Sequence, residues 1–180
     1  MATTTRARAT EADLLAQPED GNKYELVDGE IRMSPGGARH SQVGVKLAAR
    51  LLAFAQDRRL GFVFGSDIGY RLPGGNVRSP DASFVGAGRF PNERVPDDFA
   101  NMAPDLAVEV VSPGDRPRHV LDNVGEYLEA GTRLVWVIDP RKGKAIAYRS
   151  LRELRELSMG HALDGEHVLP GFSCPLREIL

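Results

Sequence analysis

The sequence predicts an α/β fold in which helices flank a mixed β-sheet. Two near-continuous apolar runs of strand length, residues 106–111 and 134–138, are typical of strands that are covered on both faces. A helical pattern over residues 118–130 lies between them, so the order strand, helix, strand predicts a parallel crossover. A longer amphipathic pattern over residues 38–60 predicts a second helix.

Short elements are predicted on either side of this unit. Thr10 is a candidate N-cap for a short helix that ends near Pro18. Residues 24–33 predict two strands joined at Asp28 and Gly29, a pair that favours tight hairpins. Further short strands are predicted over residues 62–64, 68–72 and 77–85 and beyond residue 145, with a loop over 86–104 and a turn over 169–172.

Length and composition predict a single domain over residues 1–180, with residues 1–9 as a flexible tail. The net charge of -2 argues against a protein that coats nucleic acid, but it allows a local basic groove and an acidic metal site. No apolar run approaches the roughly 20 residues that span a bilayer, and the single cysteine, Cys174, excludes an intrachain disulfide. We therefore expect no membrane association and a cytoplasmic location.

Two acidic residues carry the candidate chemistry. Glu109 lies inside the apolar run 106–111, where an ionised carboxylate is costly unless it is paired or binds a metal. Asp81 follows Pro80 at the start of another predicted strand, and the long loop between the two carboxylates allows these strands to lie side by side. Two adjacent carboxylates favour a bridging cation, and oxygen ligands suit Mg²⁺ or Mn²⁺.

The alternative is a purely structural role for the same residues. Asp81 would then cap a turn, and Glu109 would pair with Arg116 or Arg118. Spacing alone favours this interpretation, because paired carboxylates are common in ordinary structure.

Six sequence segments provide evidence beyond the spacing of the two carboxylates. The order of these segments along the chain is more specific than any one segment alone. They are residues 24–31, 39–41, 78–85, 103–113, 127–140 and 169–172. On these segments the chain resembles the Uma family of restriction endonucleases, a branch of the PD-(D/E)XK nuclease superfamily.

The resemblance implies a restriction-endonuclease-like core, a divalent metal cofactor (Mg²⁺ or Mn²⁺) and DNA as substrate. It implies that Asp81 and Glu109 hold the metal, and that Glu25 and His40 face the same cleft and assist catalysis. Glu25 as a surface strand residue and His40 as a helix cap are the alternatives. By analogy with endonucleases that act on two strands, a homodimer or another homo-oligomer is expected.

One departure from the superfamily pattern concerns its lysine. The superfamily has a lysine two residues after the second carboxylate, and here that position is Val111. In the Uma branch the lysine comes from the following helix, four residues before the tyrosine that matches Tyr127, and here that position is Asn123. An asparagine donates hydrogen bonds but carries no charge. Lys23, Lys46 and Arg118 are candidates to replace the lysine in space. We therefore include Asn123 among the candidate catalytic residues.

Two hypotheses follow from these residues. The first is a metal-dependent endonuclease that hydrolyses phosphodiester bonds in DNA, weakened by the missing lysine. The second is a non-catalytic protein of nuclease fold that binds nucleic acid or a protein partner. A basic stretch over residues 141–155 is either a solvated face or a rim that contacts phosphates.

Overall fold

The computed structural model describes residues 7–33 and 36–180. Its helices are α1 (Glu11–Leu15), α2 (Ala38–Arg58), α3 (Pro117–Glu129) and α4 (Leu176–Ile179), with a 3-10 turn at Pro91–Glu93. Its strands are β1 (Tyr24–Val27), β2 (Glu30–Met33), β3 (Gly61–Phe64), β4 (Tyr70–Arg71), β5 (Val77–Arg78), β6 (Ala82–Gly86), β7 (Leu106–Val110), β8 (Leu134–Asp139), β9 (Lys144–Tyr148), β10 (Leu154–Ser158), β11 (Ala162–Asp164) and β12 (Ser173–Pro175).

A six-stranded mixed sheet forms the centre, in the order β10-β9-β8-β7-β6-β3. Strands β7 and β8 are parallel, and the other neighbours in this sheet are antiparallel. Parallel neighbouring strands need a long crossover connection, and helix α3 provides it between β7 and β8. The predicted fold class, helices flanking a mixed sheet, is confirmed.

The central strand β7 is covered on both faces, as its apolar sequence predicts. Leu106, Val108 and Val110 belong to the same core cluster as the inward face of α2. Ala107 belongs to the cluster that contains the inward residues of α3. Side chains alternate along a strand, so Glu109 lies on the α3 side of the sheet.

A four-stranded sheet, in the order β2-β1-β5-β4, lies beside the main one. Its β1–β2 hairpin turns at Asp28 and Gly29, with φ values of 54° and 77°. Positive φ at both central residues is what a type I′ turn requires, and this confirms the predicted hairpin.

The predicted strand over residues 77–85 is wrong as one element. Its first part is β5, in the four-stranded sheet, and its last part is β6, in the six-stranded sheet. Pro80 lies between them and has no N–H to donate to a ladder, so the chain leaves one sheet and enters the other here. Asp81 is thereby placed where the two sheets meet.

The two chain ends differ from their predicted descriptions. Residues 1–6 of the expected tail lie outside the described residues, whereas the Ala9 amide donates to the Gly29 carbonyl at 2.8 Å. Helix α4 was not predicted, because four residues carry too little periodicity. Within the described part of the chain, no helix is both long and apolar enough to cross a membrane.

Candidate active site

Asp81 and Glu109 are neighbours across two adjacent strands. The Asp81 amide donates to the Val108 carbonyl at 2.8 Å, directly before the paired residues of β6 and β7. The Asp81 carboxylate then accepts the Val110 amide at 2.7 Å. Asp81 thus bonds to the backbone on both sides of Glu109, as the predicted side-by-side strands require.

Two side chains from other elements bind the Asp81 carboxylate. Lys23 Nζ lies 3.2 Å from Oδ1, and His40 Nε2 lies 3.1 Å from Oδ2. Burial alone would raise the pKa of Asp81, but the hydrogen bond from His40 and the charge of Lys23 hold it below its ordinary value. The same hydrogen bond raises the pKa of His40. His40 is the third residue of α2, and its side chain reaches Asp81, which contradicts the alternative of a helix cap.

Glu109 is the less satisfied member of the pair. Burial and the neighbouring Asp81 charge raise the pKa of Glu109 to about 8. The Tyr127 hydroxyl lies close enough to stabilise the ionised form, yet neither Glu109 Oε1 nor Tyr127 Oη completes a hydrogen bond of normal geometry within the described residues. Glu109 therefore holds a proton near neutral pH unless a cation replaces it.

Glu25 is fixed in the wall of the site by its neighbours. Its Oε1 accepts the Ser79 amide at 2.7 Å, and its Oε2 lies 3.4 Å from a guanidinium nitrogen of Arg78. Arg78 in turn pairs with Glu126 of α3 at 2.6 Å. Glu25 is only 7% exposed, so the alternative of a surface strand residue is wrong.

All five candidate catalytic residues line one narrow cavity of about 50 Å³, although their roles stay predictions. These are Glu25, His40, Asp81, Glu109 and Asn123. A wider cleft of about 750 Å³ opens beside it and includes Lys23, His40 and Asp81 in its own wall. The first volume suits an ion with a few waters, and the second suits part of a substrate.

Three further charged or titratable side chains line the narrow cavity. Lys23 was named from the sequence only as a candidate replacement for the lysine, and Asp115 and His119 were not named as candidates. The signal for Lys23 was its position two residues before Glu25, because alternate residues of an extended chain share a face. Asp115 and His119 flank the start of α3 and carried no comparable signal. Neither of the other suggested replacements for the lysine, Lys46 and Arg118, lines this cavity.

Two further expectations concern the arginine partners of Glu109 and the role of the basic stretch over residues 141–155. Among the described residues, neither Arg116 nor Arg118 forms an ion pair with Glu109. In the basic stretch, Arg149 pairs with acidic side chains of the same surface, and Lys142 pairs with Asp139 at 3.2 Å. These pairs favour a solvated face over a phosphate-contacting rim.

Comparisons with known proteins identify the family and the fold of the chain. Residues 11–177 match the model of the Uma2 family, which is described as "Putative restriction endonuclease". The chain belongs to the Uma2 family. The resemblance seen in the sequence is thereby confirmed, and a nuclease-like function is supported for this Uma2 protein.

A solved structure supports the fold of the Uma2 chain. The crystal structure of a "putative nuclease belonging to DUF820" from Anabaena variabilis ATCC 29413 matches with a TM-score of 0.81. The match covers 94% of this chain and 96% of that chain, at 21% sequence identity. No curated protein matches the chain.

Proposed function

We propose that this Uma2 protein is a Mg²⁺- or Mn²⁺-dependent endonuclease that hydrolyses phosphodiester bonds in DNA. The observation that carries the proposal is the buried carboxylate pair of Asp81 and Glu109, on neighbouring strands, with Glu109 Oε1 lacking a partner within the described residues. An unpartnered carboxylate oxygen in a buried polar cavity is costly unless it acquires a ligand.

The donor set fits a small hard cation. Mg²⁺ keeps several waters and needs only one or two protein carboxylates, which Asp81 and Glu109 can supply. A ready-made cluster of three or more His, Cys, Asp or Glu ligands is absent from the described residues, so a protein cage that excludes water is not expected. When bound, such an ion supplies positive charge that activates water and offsets charge developing on phosphate oxygens.

The remaining residues of the cavity orient groups rather than hold the ion. His40 fixes the Asp81 carboxylate through its Nε2 hydrogen bond. Glu25, held by Arg78 and the Ser79 amide, presents an acceptor in a fixed direction for a water in the cavity. Asn123 contributes an uncharged amide donor from α3. The wider cleft is the place for the nucleic acid strand, because it shares a wall with the narrow cavity.

A cleavage assay tests this proposal. Plasmid and oligonucleotide DNA are incubated with Mg²⁺ or Mn²⁺ and either the wild type or Asp81→Ala. We expect a loss of about 10²-fold or more in the variant, since it lacks one of the two carboxylates that hold the ion on which charge stabilisation depends. Asp57→Ala, which changes an exposed carboxylate of α2, is the matched control and is expected to cleave like the wild type. Equal trace activity in the wild type and Asp81→Ala would refute the proposal.

A second candidate function has its own support in the site. Asn123 stands where the family pattern has a lysine, and Lys23 and His40 already satisfy the Asp81 carboxylate without a metal. Both features suit a non-catalytic protein that binds nucleic acid or a protein partner. Metal binding distinguishes the two functions, because only the enzyme requires a cation at Glu109.

A further inference from the structure

The Lys23 ammonium occupies an unusual position for a lysine. Its side chain is only 16% exposed, and Nζ lies 3.2 Å from Asp81 Oδ1. Glu25 and Glu109 line the same narrow cavity as this ion pair. A lysine ammonium thus lies at the point where three acidic side chains converge.

Among the described residues that line the narrow cavity, Lys23 is the only lysine or arginine. The other basic side chains there, His40 and His119, are imidazoles, and Asn123 is uncharged. The walls of both the narrow cavity and the wider cleft include Lys23. Its ammonium thus lies between the carboxylate pair and the space that a substrate would fill.

The chain around Lys23 holds it in place. It directly precedes β1, whose Glu25 is fixed by the Ser79 amide and by the buried Arg78. An ammonium has three N–H donors, and the contact with Asp81 uses one of them. The other two can reach an oxygen in the cleft while the bond to Asp81 persists.

We propose that Lys23 contacts a non-bridging oxygen of the scissile phosphate and stabilises the charge of the transition state, the work for which Asn123 lacks a charge. This inference rests on the proposed endonuclease function. In the reaction, a water oxygen bonds to phosphorus while the bond to the leaving sugar oxygen breaks and its electron pair goes to that oxygen. One water proton passes to solvent, the leaving oxygen takes a proton from solvent, and Lys23 keeps its proton throughout.

The test uses a substrate that needs no recognition sequence. Hydrolysis of bis(4-nitrophenyl) phosphate in Mn²⁺ is measured for the wild type, Lys23→Gln, Lys23→Arg, Asp81→Ala and the double variant Lys23→Gln/Asn123→Lys. Mn²⁺ affinity is measured for each protein by calorimetry, and folding is checked by circular dichroism. Lys142→Gln is the matched control, because Lys142 also lies 3.2 Å from an aspartate but is 74% exposed.

The proposal predicts a specific pattern. Lys23→Gln lowers kcat by about 10²-fold or more, the usual size of the loss when one transition-state donor is removed. Mn²⁺ affinity is equal to or higher than that of the wild type, because the variant removes a positive charge beside Asp81 and no metal ligand. Lys23→Arg retains more activity than Lys23→Gln, the double variant recovers at least about tenfold, and Lys142→Gln behaves like the wild type.

Other outcomes overturn it in distinguishable ways. If Lys23→Gln matches the wild type while Asp81→Ala is inactive, the endonuclease function stands and the role of Lys23 is wrong. If Lys23→Gln loses Mn²⁺ binding and activity together, or if the double variant recovers nothing, Lys23 only supports the structure of the site. If the wild type is no more active than Asp81→Ala, the endonuclease function fails, and the role of Lys23 fails with it.

Discussion

At the scale of single residues, the state of Glu109 determines what the site can bind. Burial favours its neutral form over its charged form, and the nearby Asp81 charge adds to this effect. A proton and a metal ion are therefore alternative occupants of the same carboxylate. Metal binding must release that proton, which links the metal affinity of the protein to pH.

The raised pKa of Glu109 predicts how stability depends on pH without metal. Its pKa is 4.5 in the unfolded chain and about 8 in the folded protein, so the folded state binds the extra proton between these values. The stabilisation is complete below the unfolded pKa and is lost as pH rises through the folded one. Between about pH 5 and pH 8.5, the wild type should lose roughly 2 kcal/mol or more relative to Glu109→Gln, since one pKa unit corresponds to about 1.4 kcal/mol.

Chemical denaturation at several pH values, with a chelator present, measures this difference. The difference between the two proteins reports the titration of Glu109 together with its effect on the neighbouring Asp81. Parallel stability curves for the wild type and Glu109→Gln would show that the folded protein does not hold the extra proton.

At the scale of elements, Arg78 ties three pieces of secondary structure together. It extends from β5, is 2% exposed, and pairs with Glu126 of α3 and Glu25 of β1. An arginine cannot shed its proton to escape burial, so its partners must stay in place. The same pairs hold the wall of the cavity that contains Glu25.

Removing one partner of this buried charge should be costly. Glu126→Ala is expected to lower the free energy of unfolding by about 3 kcal/mol, because the Arg78 charge loses its closest partner. Glu153→Ala is the matched control, since it breaks an arginine pair that is largely exposed, and it should change stability by less than about 1 kcal/mol. Urea denaturation of both variants provides the comparison, and equal losses would mean that the Arg78 pairs add no more than a surface contact.

Local sequence patterns predicted the strands that carry the site. They predicted the side-chain contacts within the site less well. The apolar run around Glu109 predicted β7, and the position of Asp81 after Pro80 predicted the start of β6 within one residue. The switch of the chain between two sheets at Pro80 was missed, because apolar alternation does not reveal which sheet a strand joins. The Lys23–Asp81 contact was beyond prediction, since it joins elements 58 residues apart in the chain.

At the scale of the whole molecule, charge limits how the protein can engage nucleic acid. The net charge is -2, and the wider cleft contains the acidic residues Glu19 and Asp67 as well as Lys23 and His40. Few phosphates can be neutralised along such a cleft. Affinity for DNA should therefore depend only weakly on salt.

A salt titration of DNA binding tests this expectation. The Asp81→Ala protein, which we expect not to cleave, is titrated against a labelled duplex by fluorescence anisotropy at increasing salt. Each neutralised phosphate contributes about -0.9 to the slope of log affinity against log salt, so a slope of about -1 to -3 is expected. A slope steeper than about -5 would show that DNA contacts more basic residues than those that line the wider cleft.

The central claim is that Asp81 and Glu109 together hold a divalent cation, and a calorimetric titration with Mn²⁺ tests it most directly. The wild type, Asp81→Asn and Glu109→Gln are compared at about pH 8.5, where most of the Glu109 carboxyl is ionised because its pKa is about 8. The account predicts binding by the wild type and at least about tenfold weaker binding by each variant, since each loses one of two anionic ligands. No binding by the wild type at millimolar Mn²⁺, or equal binding by all three proteins, would contradict the account.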